Sequence, residues 1–375
     1  MKTARLTAGL IGAVAALAAL PVNSAGAATP AATTTLHAPT VAAALPAGCT
    51  ANDFRVVNSP DGSYHGYIQA TCSGKPKLFY ISRNPQGTWA LRATTIDMPI
   101  VLGLAVDNTG TYIVGKRSNH NLVLVRRNGN GSLSGVHVLD TSTSVLHPVR
   151  GVSVTASNGQ YWVVWDHTGG TPLDESRTMA PALAPTAITT TPAMYAPALV
   201  AGPGAARLYA CRLTGDTPNE KNTNVASLTE GTHGFIDDKD DFQGCSGGDD
   251  QGSLLGLRAS YLDGHTYLVD QAQGAVDSDV SGKLAPTAVA QDAVAALLVS
   301  GGRVTAVTDN GRQPEAFVQN SDGSFPATPT SAISPAPVPV HQSQYVNRSG
   351  KLIRLLVQAD SKGGPGTRLL EQLQN

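Results

Sequence analysis

Two short stretches and one scattered set carry the residue types that do chemistry. Asp237, Asp238, Asp240 and Asp241, followed by Asp249 and Asp250, are the densest acidic run in the chain. Hard carboxylate oxygens gathered in a loop suit Ca²⁺. The spacing lacks the alternating acids before a glycine that an EF-hand loop needs. The run therefore reads as a solvated acidic loop, with Ca²⁺ at Asp238, Asp240 and Asp241 as the alternative and no other cofactor implied. Gly244 to Gly248 match the G-x-S-x-G nucleophile pattern around Ser246. No strand-to-helix elbow surrounds it, and Cys245 is expected in a disulfide, so Ser246 receives no catalytic role. His147, Arg150, Asp166 and His167 form the scattered set, and a histidine beside a carboxylate suits proton transfer or metal binding. Isolated loop histidines are more often plain surface groups, so no catalytic residue is assigned. Trp162 and Trp165 have strand spacing and read as packing residues.

The elements that position these groups are strands. Val101 to Asp140 reads as one four-stranded antiparallel unit, with alternating apolar residues broken by "DNTG", "SNHN" and "NGNG" turns. The rest of the chain repeats it. A glycine turn followed by an aromatic or branched strand recurs at Gly62, Gly110, Gly159, Gly204, Gly264, Gly302 and Gly350, with spacings of 48, 49, 45, 60, 38 and 48 residues. A second turn recurs later in the repeats, at Gly87, Gly131 and Gly323, with weaker copies at Gly231 and Gly282. Seven units of four strands predict an all-β fold, a seven-bladed β-propeller. An irregular pair of sandwiches and a β-solenoid are the alternatives. The last repeat runs out after three strands. "APTV" at Ala38 to Val41 resembles the outer-strand segments "APTAI" and "APTAV" of other repeats. Residues 33–41 are therefore expected to complete the seventh blade.

Residues 1–27 read as an export signal: Lys2 and Arg5, an apolar core to Leu20, and the small-residue site Ala25-Gly26-Ala27. The apolar core is too short for a membrane span and no later stretch is long enough. Residues 28–375 are then one propeller domain, with 28–52 as a leader that includes the closing strand. The chain has 26 Lys and Arg against 27 Asp and Glu, and losing Lys2 and Arg5 takes the net charge to −3. That balance argues against a nucleic-acid partner. A secreted, extracellular monomer is expected.

Four cysteines in an exported chain suggest two disulfides, with three pairings open to four residues. Cys49 and Cys72 are nearly equidistant from the Pro60-Asp61 turn and face each other in a hairpin. Cys211 ends a second strand and Cys245 lies in the following connection, at the same face. Pairings Cys49–Cys72 and Cys211–Cys245 follow from that layout. The 60-residue spacing marks an insertion in the fourth repeat, at Thr214 to Thr223 and Asp237 to Asp250. The third repeat carries a long loop, Asp166 to Arg177. Function in a propeller sits in such loops. Asp166, His167, Asp174, Glu175, Asp240 and Asp241 are the interaction residues they would present. A hydrolase or glycan-binding lectin using the same loops is the alternative. The Asp-box spacing of sialidases is not reproduced at Asn320, and no quinone or haem motif is present.

An exported seven-repeat chain with an Ala/Thr-rich leader and paired cysteines resembles the secreted actinomycete propellers of the dispase autolysis-inducing type. The resemblance lies in architecture and style across residues 28–375, with no short motif specific to it. It implies a non-enzymatic partner of secreted thermolysin-like neutral metalloproteases that promotes their autolysis. It also implies a glutamine-donor substrate of a secreted transglutaminase. Such an enzyme needs a γ-carboxamide on an exposed, mobile segment. Gln342 and Gln344, just after the Pro-rich stretch 335–339, and Gln374 near the C-terminus are the first candidates. Gln291 is next, with Gln271, Gln273 and Gln372 behind it.

Overall fold

Every regular element that the computed structural model describes is a strand. It describes residues 32–59, 61–141, 149–167, 174–177, 186–187, 194–202, 206–213, 223–231, 234–243, 257–262, 264–270, 275–278, 285–288, 294–300, 302–309, 313–348 and 350–375. The signal expected at 1–27 lies outside them. Among the described residues no helix is long and apolar enough to cross a membrane. Residues 32–375 form one compact unit.

The strands hydrogen-bond into seven sheets that follow one another along the chain. Sheet one runs Cys49–Asn58, Tyr64–Cys72, Lys75–Arg83, Trp89–Ala93 in spatial order, and sheet two Ile100–Val106, Gly110–Lys116, Leu122–Asn128, His137–Asp140. The stretch Val101 to Asp140 is thus one sheet, as its alternation predicts. Sheets three to six begin at Val149–Ser157, Met194–Ala201, Leu257–Leu262 and Val294–Ser300. Sheet seven is Val340–Arg348, Lys351–Ala359, Pro365–Leu373 and then Thr40–Ala44 from the N-terminal side. Apart from the pair in sheets five and six, each first strand packs on its neighbour in the next sheet, and that of sheet seven packs on that of sheet one. Sheets five and six share one apolar cluster, in which Tyr267 and Val269 meet Val294 and Leu297. This is a β-propeller arrangement, with first strands inside and fourth strands outside. Stacking buries both faces of each sheet, which no isolated four-stranded sheet achieves.

The closing strand differs from its expectation. Only part of 33–41 meets sheet seven: Leu36 bridges Gln374, and the strand that completes the sheet is Thr40–Ala44, with Val41 opposite Leu370 and Ala43 opposite Leu369. Burial sets this register: Ala42 and Ala43 enter the core shared by sheets seven and one. Ala32–Thr34 instead joins the outer edge of sheet six in parallel, Thr33 opposite Ala332. One N-terminal segment therefore stitches two sheets.

Glycine serves two needs. In the first turn of sheet three, Gly159 sits at φ 82°, a conformation that side chains disfavour. At Gly103, a Cβ would stand 2.8 Å from Val154 Cγ1 of the next sheet, so the inner strands approach too closely for one. The first strands also share an irregularity. In all but sheet five a register shift lies near the start, as between Ala51 and Asp53, Val101 and Gly103, Tyr195 and Ala198, or Val340 and Gln342. Such bulges turn side chains out of the pleat.

Cys49 pairs with Cys72 opposite it, as expected. Cys211 is buried and also disulfide-bonded, and its expected partner Cys245 lies outside the described residues. The Cys49–Cys72 bridge closes a 23-residue separation. Replacing both residues by Ala should cost about 3 kcal/mol by loop-closure entropy. Urea unfolding would show that loss as a lower midpoint, with a steeper slope because the unfolded chain is no longer cross-linked; an unmoved midpoint would mean that the bridge constrains nothing.

Candidate functional site

Antiparallel four-stranded sheets joined outer-to-inner begin and end at the same face. The first residues of all inner strands and the ends of all outer strands therefore gather there. This connection face holds the Cys49–Cys72 bridge and the strand ends His167, Asp174, Leu213, Thr223 and Gln243. The segments 168–173, 214–222 and 244–256, which those ends lead into, lie outside the described residues. So do His147, Ser246, Asp249 and Asp250.

Asp166 is not an exposed interaction residue. It is 4% exposed, on the second strand of sheet three, Gln160–His167. Its Oδ1 accepts from Gly151 N–H, and its Oδ2 accepts from Ala196 N–H at 3.0 Å. Ala196 lies in the bulge of sheet four with φ 52°. The carboxylate thus fastens a strained bulge of one sheet to the preceding sheet. His167 follows it on the strand, opposite Val149, where Arg150 comes next. Asp174 and Glu175 are strand residues, opposite Trp165 and Val164, rather than loop residues.

The acidic run is also a correction. Gly234–Gln243 is the outer strand of sheet four, so Asp237 to Asp241 are not in a loop. Asp237 faces Leu228 and Asp241 faces Ala226, and Asp238, Lys239 and Asp240 bulge between them. Phe235 and Phe242, opposite Glu230 and Val225, carry the strand through the run. No cluster of metal-ligating groups occurs among the described residues.

The glutamines separate sharply. Gln342 and Gln344 lie on the inner strand of sheet seven, not on a mobile linker. Gln344 Oε1 accepts from Val56 N–H at 2.9 Å, and its Nε2 donates to Val56 O at 2.6 Å. Gln342 Nε2 donates to Asp53 Oδ1 at 2.7 Å. Gln374 is half-buried near the C-terminus, and its Oε1 accepts from Leu352 N–H at 2.8 Å. Gln372 is buried, its Oε1 accepting from Arg354. Gln291, Gln271 and Gln273 lie outside the described residues.

Trp165 and Trp162 are core residues, 0% and 3% exposed. Their indole N–H groups donate to Asp140 Oδ2 at 3.1 Å and Glu230 Oε1 at 2.7 Å.

Sequence reasoning missed a polar chain at the opposite face, between sheets one and two. Arg127 Nη1 donates to the Tyr80 hydroxyl at 3.2 Å, with the guanidinium 3.9 Å from the ring centroid. That hydroxyl meets His65 Nδ1, and His65 Nε2 lies 2.7 Å from Ser63 Oγ. Ser63 Oγ donates to Asp61 Oδ1 at 2.6 Å. One hydroxyl has one proton, so the directions are fixed for a neutral imidazole. Tyr80 donates to His65 Nδ1, His65 Nε2–H donates to Ser63, and Ser63 donates to Asp61. This polarity is the reverse of a Ser–His nucleophilic pair, in which serine donates to histidine. The chain runs from a cation to a carboxylate and joins two sheets. Burial pushes the His65 pKa down, Asp61 opposes this, and Arg127 adds to it. The Ser63 hydroxyl lowers the Asp61 pKa against its own burial. The legible signal was "DGSYH", a turn acid two residues before a serine and four before a histidine.

Two outcomes are expected. Asp166→Ala strands two backbone N–H groups and should cost on the order of 1–3 kcal/mol in urea unfolding; a loss near zero would remove its fastening role. A depressed histidine pKa gives stability that is complete above the unfolded value of 6.5 and lost as pH falls towards the folded value. The melting temperature should therefore decline below pH 6.5, and His65→Gln should flatten that decline. Parallel curves for the two proteins would mean that His65 does not titrate as described.

No family model matches the chain, and no curated protein matches it either. Among solved structures it is similar to AofleA from Arthrobotrys oligospora, at 12% identity and a TM-score of 0.45, covering 82% of this chain and 95% of that one. It is similar to the Dos1 propeller at 10% identity and a TM-score of 0.48, covering 82% and 74%. An α-L-arabinanase of Penicillium chrysogenum gives 10% identity and a TM-score of 0.44, covering 91% and 98%. At these values the propeller assignment rests on the sheets themselves.

Proposed function

We propose that this chain is an exported, seven-bladed, non-enzymatic interaction protein. Its partners are a secreted thermolysin-like neutral metalloprotease, whose autolysis it promotes, and a secreted transglutaminase, to which it presents glutamine. The connection face at sheets three and four is the docking surface. The observation that carries a binding role over a hydrolytic one is the use of Asp166. A hydrolase at this face needs an accessible carboxylate beside His167, and Asp166 is a buried acceptor of two backbone N–H groups. Asp166, the carboxylate of that set, serves as a fastener between two sheets of the scaffold. A rigid scaffold with variable connections is the usual basis of a protein-binding surface.

The partner identities rest on the resemblance to secreted actinomycete propellers. The glutamine role needs a reordering of candidates. A γ-carboxamide held at both ends by Val56 is poorly placed for acyl transfer, so Gln344 is a late donor. Gln342 and Gln374 are each held at one end only, by Asp53 and by Leu352 N–H, and rank ahead of it together with Gln291.

The protease reading is tested by incubating the purified chain with a thermolysin-like neutral protease and following both bands on a denaturing gel. The protease should disappear faster than alone while this chain stays intact. An unaffected protease at equimolar ratio defeats the reading and directs attention to a glycan screen. For the second role, transglutaminase and a labelled primary amine should mark Gln344 only after unfolding, as peptide mapping would show. Early labelling of Gln344 in the folded protein would overturn its assignment.

A further inference from the structure

The polar chain between sheets one and two starts at Arg127, and a second arginine joins it there. Arg92 lies on Trp89–Ala93, the outer strand of sheet one, opposite Tyr80. Leu91 packs into the core shared by sheets seven and one, so Arg92, the next residue, faces sheet two. Arg127 lies on Leu122–Asn128 of sheet two, opposite Thr111. Val125 shares an apolar cluster with Tyr67 of sheet one, so Arg127, two residues on, faces sheet one. The two guanidinium groups converge on the following glycine turn. At Gly131, a Cβ would stand 3.1 Å from Arg127 Nη2 and 3.5 Å from Arg92 Nη1. Arg127 Nη1 is turned to the Tyr80 hydroxyl, which holds the group over the ring. Arg92 is exposed and Arg127 half-buried, so the pair is open to solvent.

No carboxylate answers the two charges. Among the described residues neither arginine forms an ion pair, and Arg92 donates no hydrogen bond. Sheets one and two, residues 49–140, contain five acids, and all are engaged elsewhere. Asp53 accepts from Gln342, Asp61 from Ser63, Asp97 from Ser118 and Asp140 from Trp165, while Asp107 accepts within its own turn and from Gly159. The segments 1–31, 60 and 142–148, which adjoin in sequence and lie outside the described residues, contain no Asp or Glu. Sheet six shows what sheet two lacks. Its corresponding turn carries Asp322, which accepts from Ser324 N–H and Oγ at 2.9 and 2.6 Å. In sheet two that position is Asn130, accepting from Ser132 N–H and Oγ at 2.9 and 2.7 Å. The turn is kept and its charge is not.

We propose that this outer seam of sheets one and two binds a tetrahedral oxyanion, a sulfate or phosphate group held between Arg92 and Arg127. Guanidinium groups match such oxyanions through paired N–H donors. One guanidinium fork saturates the two oxygens of a carboxylate; two forks from different sheets suit a group with three or more. Tyr80 already fixes Arg127, so little side-chain freedom is lost there on binding. The two cations repel each other until an anion lies between them. The site is on the face opposite the docking surface and stands independently of any protease partner. It also touches the polar chain. Burial holds the His65 pKa down, Asp61 opposes this, and the Arg127 charge adds to it. A bound anion offsets that last charge.

The test uses the whole chain without its export signal, with inorganic sulfate and phosphate as probes against chloride at matched ionic strength. The melting temperature should rise saturably with either probe, and calorimetric titration should give one such site per chain. Arg92 bonds no protein group, so Arg92→Gln should fold as the parent does and bind at least tenfold more weakly. Asn130→Asp restores the acid that sheet six carries in the same turn, and it should weaken binding as well. In the parent, the His65 imidazole should titrate at higher pH in sulfate than in chloride, as nuclear magnetic resonance would show, and Arg92→Gln should shrink that difference. A parent with no shift specific to sulfate or phosphate overturns the proposal. So does undiminished affinity in Arg92→Gln, or binding that leaves the His65 titration unmoved, since either places the anion elsewhere. Sugar phosphates and sugar sulfates separate the ligand's source. Tighter binding of the ester than of the free ion identifies a group carried on a larger molecule, and equal binding identifies the free ion.

Discussion

The structure depends on the closure of sheet seven against sheet one. A ring of stacked sheets gains its last interface only when its first and last members meet, and here they are nearly 300 residues apart. The inner strands carry a ladder across that seam. Gln342 donates to Asp53, both ends of Gln344 bond Val56, and Asn58 Nδ2 donates to Asn347 O. Further out, Arg83 Nε stands 2.9 Å from Glu371 Oε1, with both side chains 5% exposed. That approach is a charge contact rather than an aligned hydrogen bond, since neither atom meets hydrogen-bond geometry. Trp89 Nε1 supplies the aligned bond, donating to Glu371 Oε2 at 3.0 Å. A buried pair of this kind adds little over an apolar pair, but losing one partner is costly. Glu371 also sits opposite Thr40 of the closing strand. The ring therefore shuts through the N-terminal segment, sheet seven and sheet one acting together.

The same principle explains where the acids go. Asp107 Oδ1 accepts from Thr109 and Gly110 N–H groups within its own turn, while Oδ2 accepts from Gly159 N–H of the next sheet at 2.6 Å. Glu230 takes Trp162 Nε1 from sheet three and Ala206 N–H at 3.0 Å within sheet four. Asp309 takes the Tyr345 hydroxyl at 2.8 Å. Apolar packing between sheets is non-directional and tolerates sliding. A carboxylate that accepts from two adjacent sheets tolerates none, so these groups fix the angle at which each sheet meets the next. The low overall charge of the chain, 14% Asp, Glu, Lys and Arg, gives each such fastener particular weight.

The architecture was legible because the repeat is written in turns. Glycines such as Gly62, Gly159, Gly264, Gly302 and Gly350 all hold positive φ, and only a few residue types do so cheaply. The site was less legible, for a physical reason. Whether a residue is in a loop or a strand depends on its cross-strand partner, which lies outside any short window. Asp237 to Asp241 look like a solvated loop until Phe235 and Phe242 pair across to the third strand. Gln342 and Gln344 look mobile after their prolines until Val56 takes the amide. The closing strand was found but placed too early, because "APTV" gave the likeness while burial of Ala42 and Ala43 set the register.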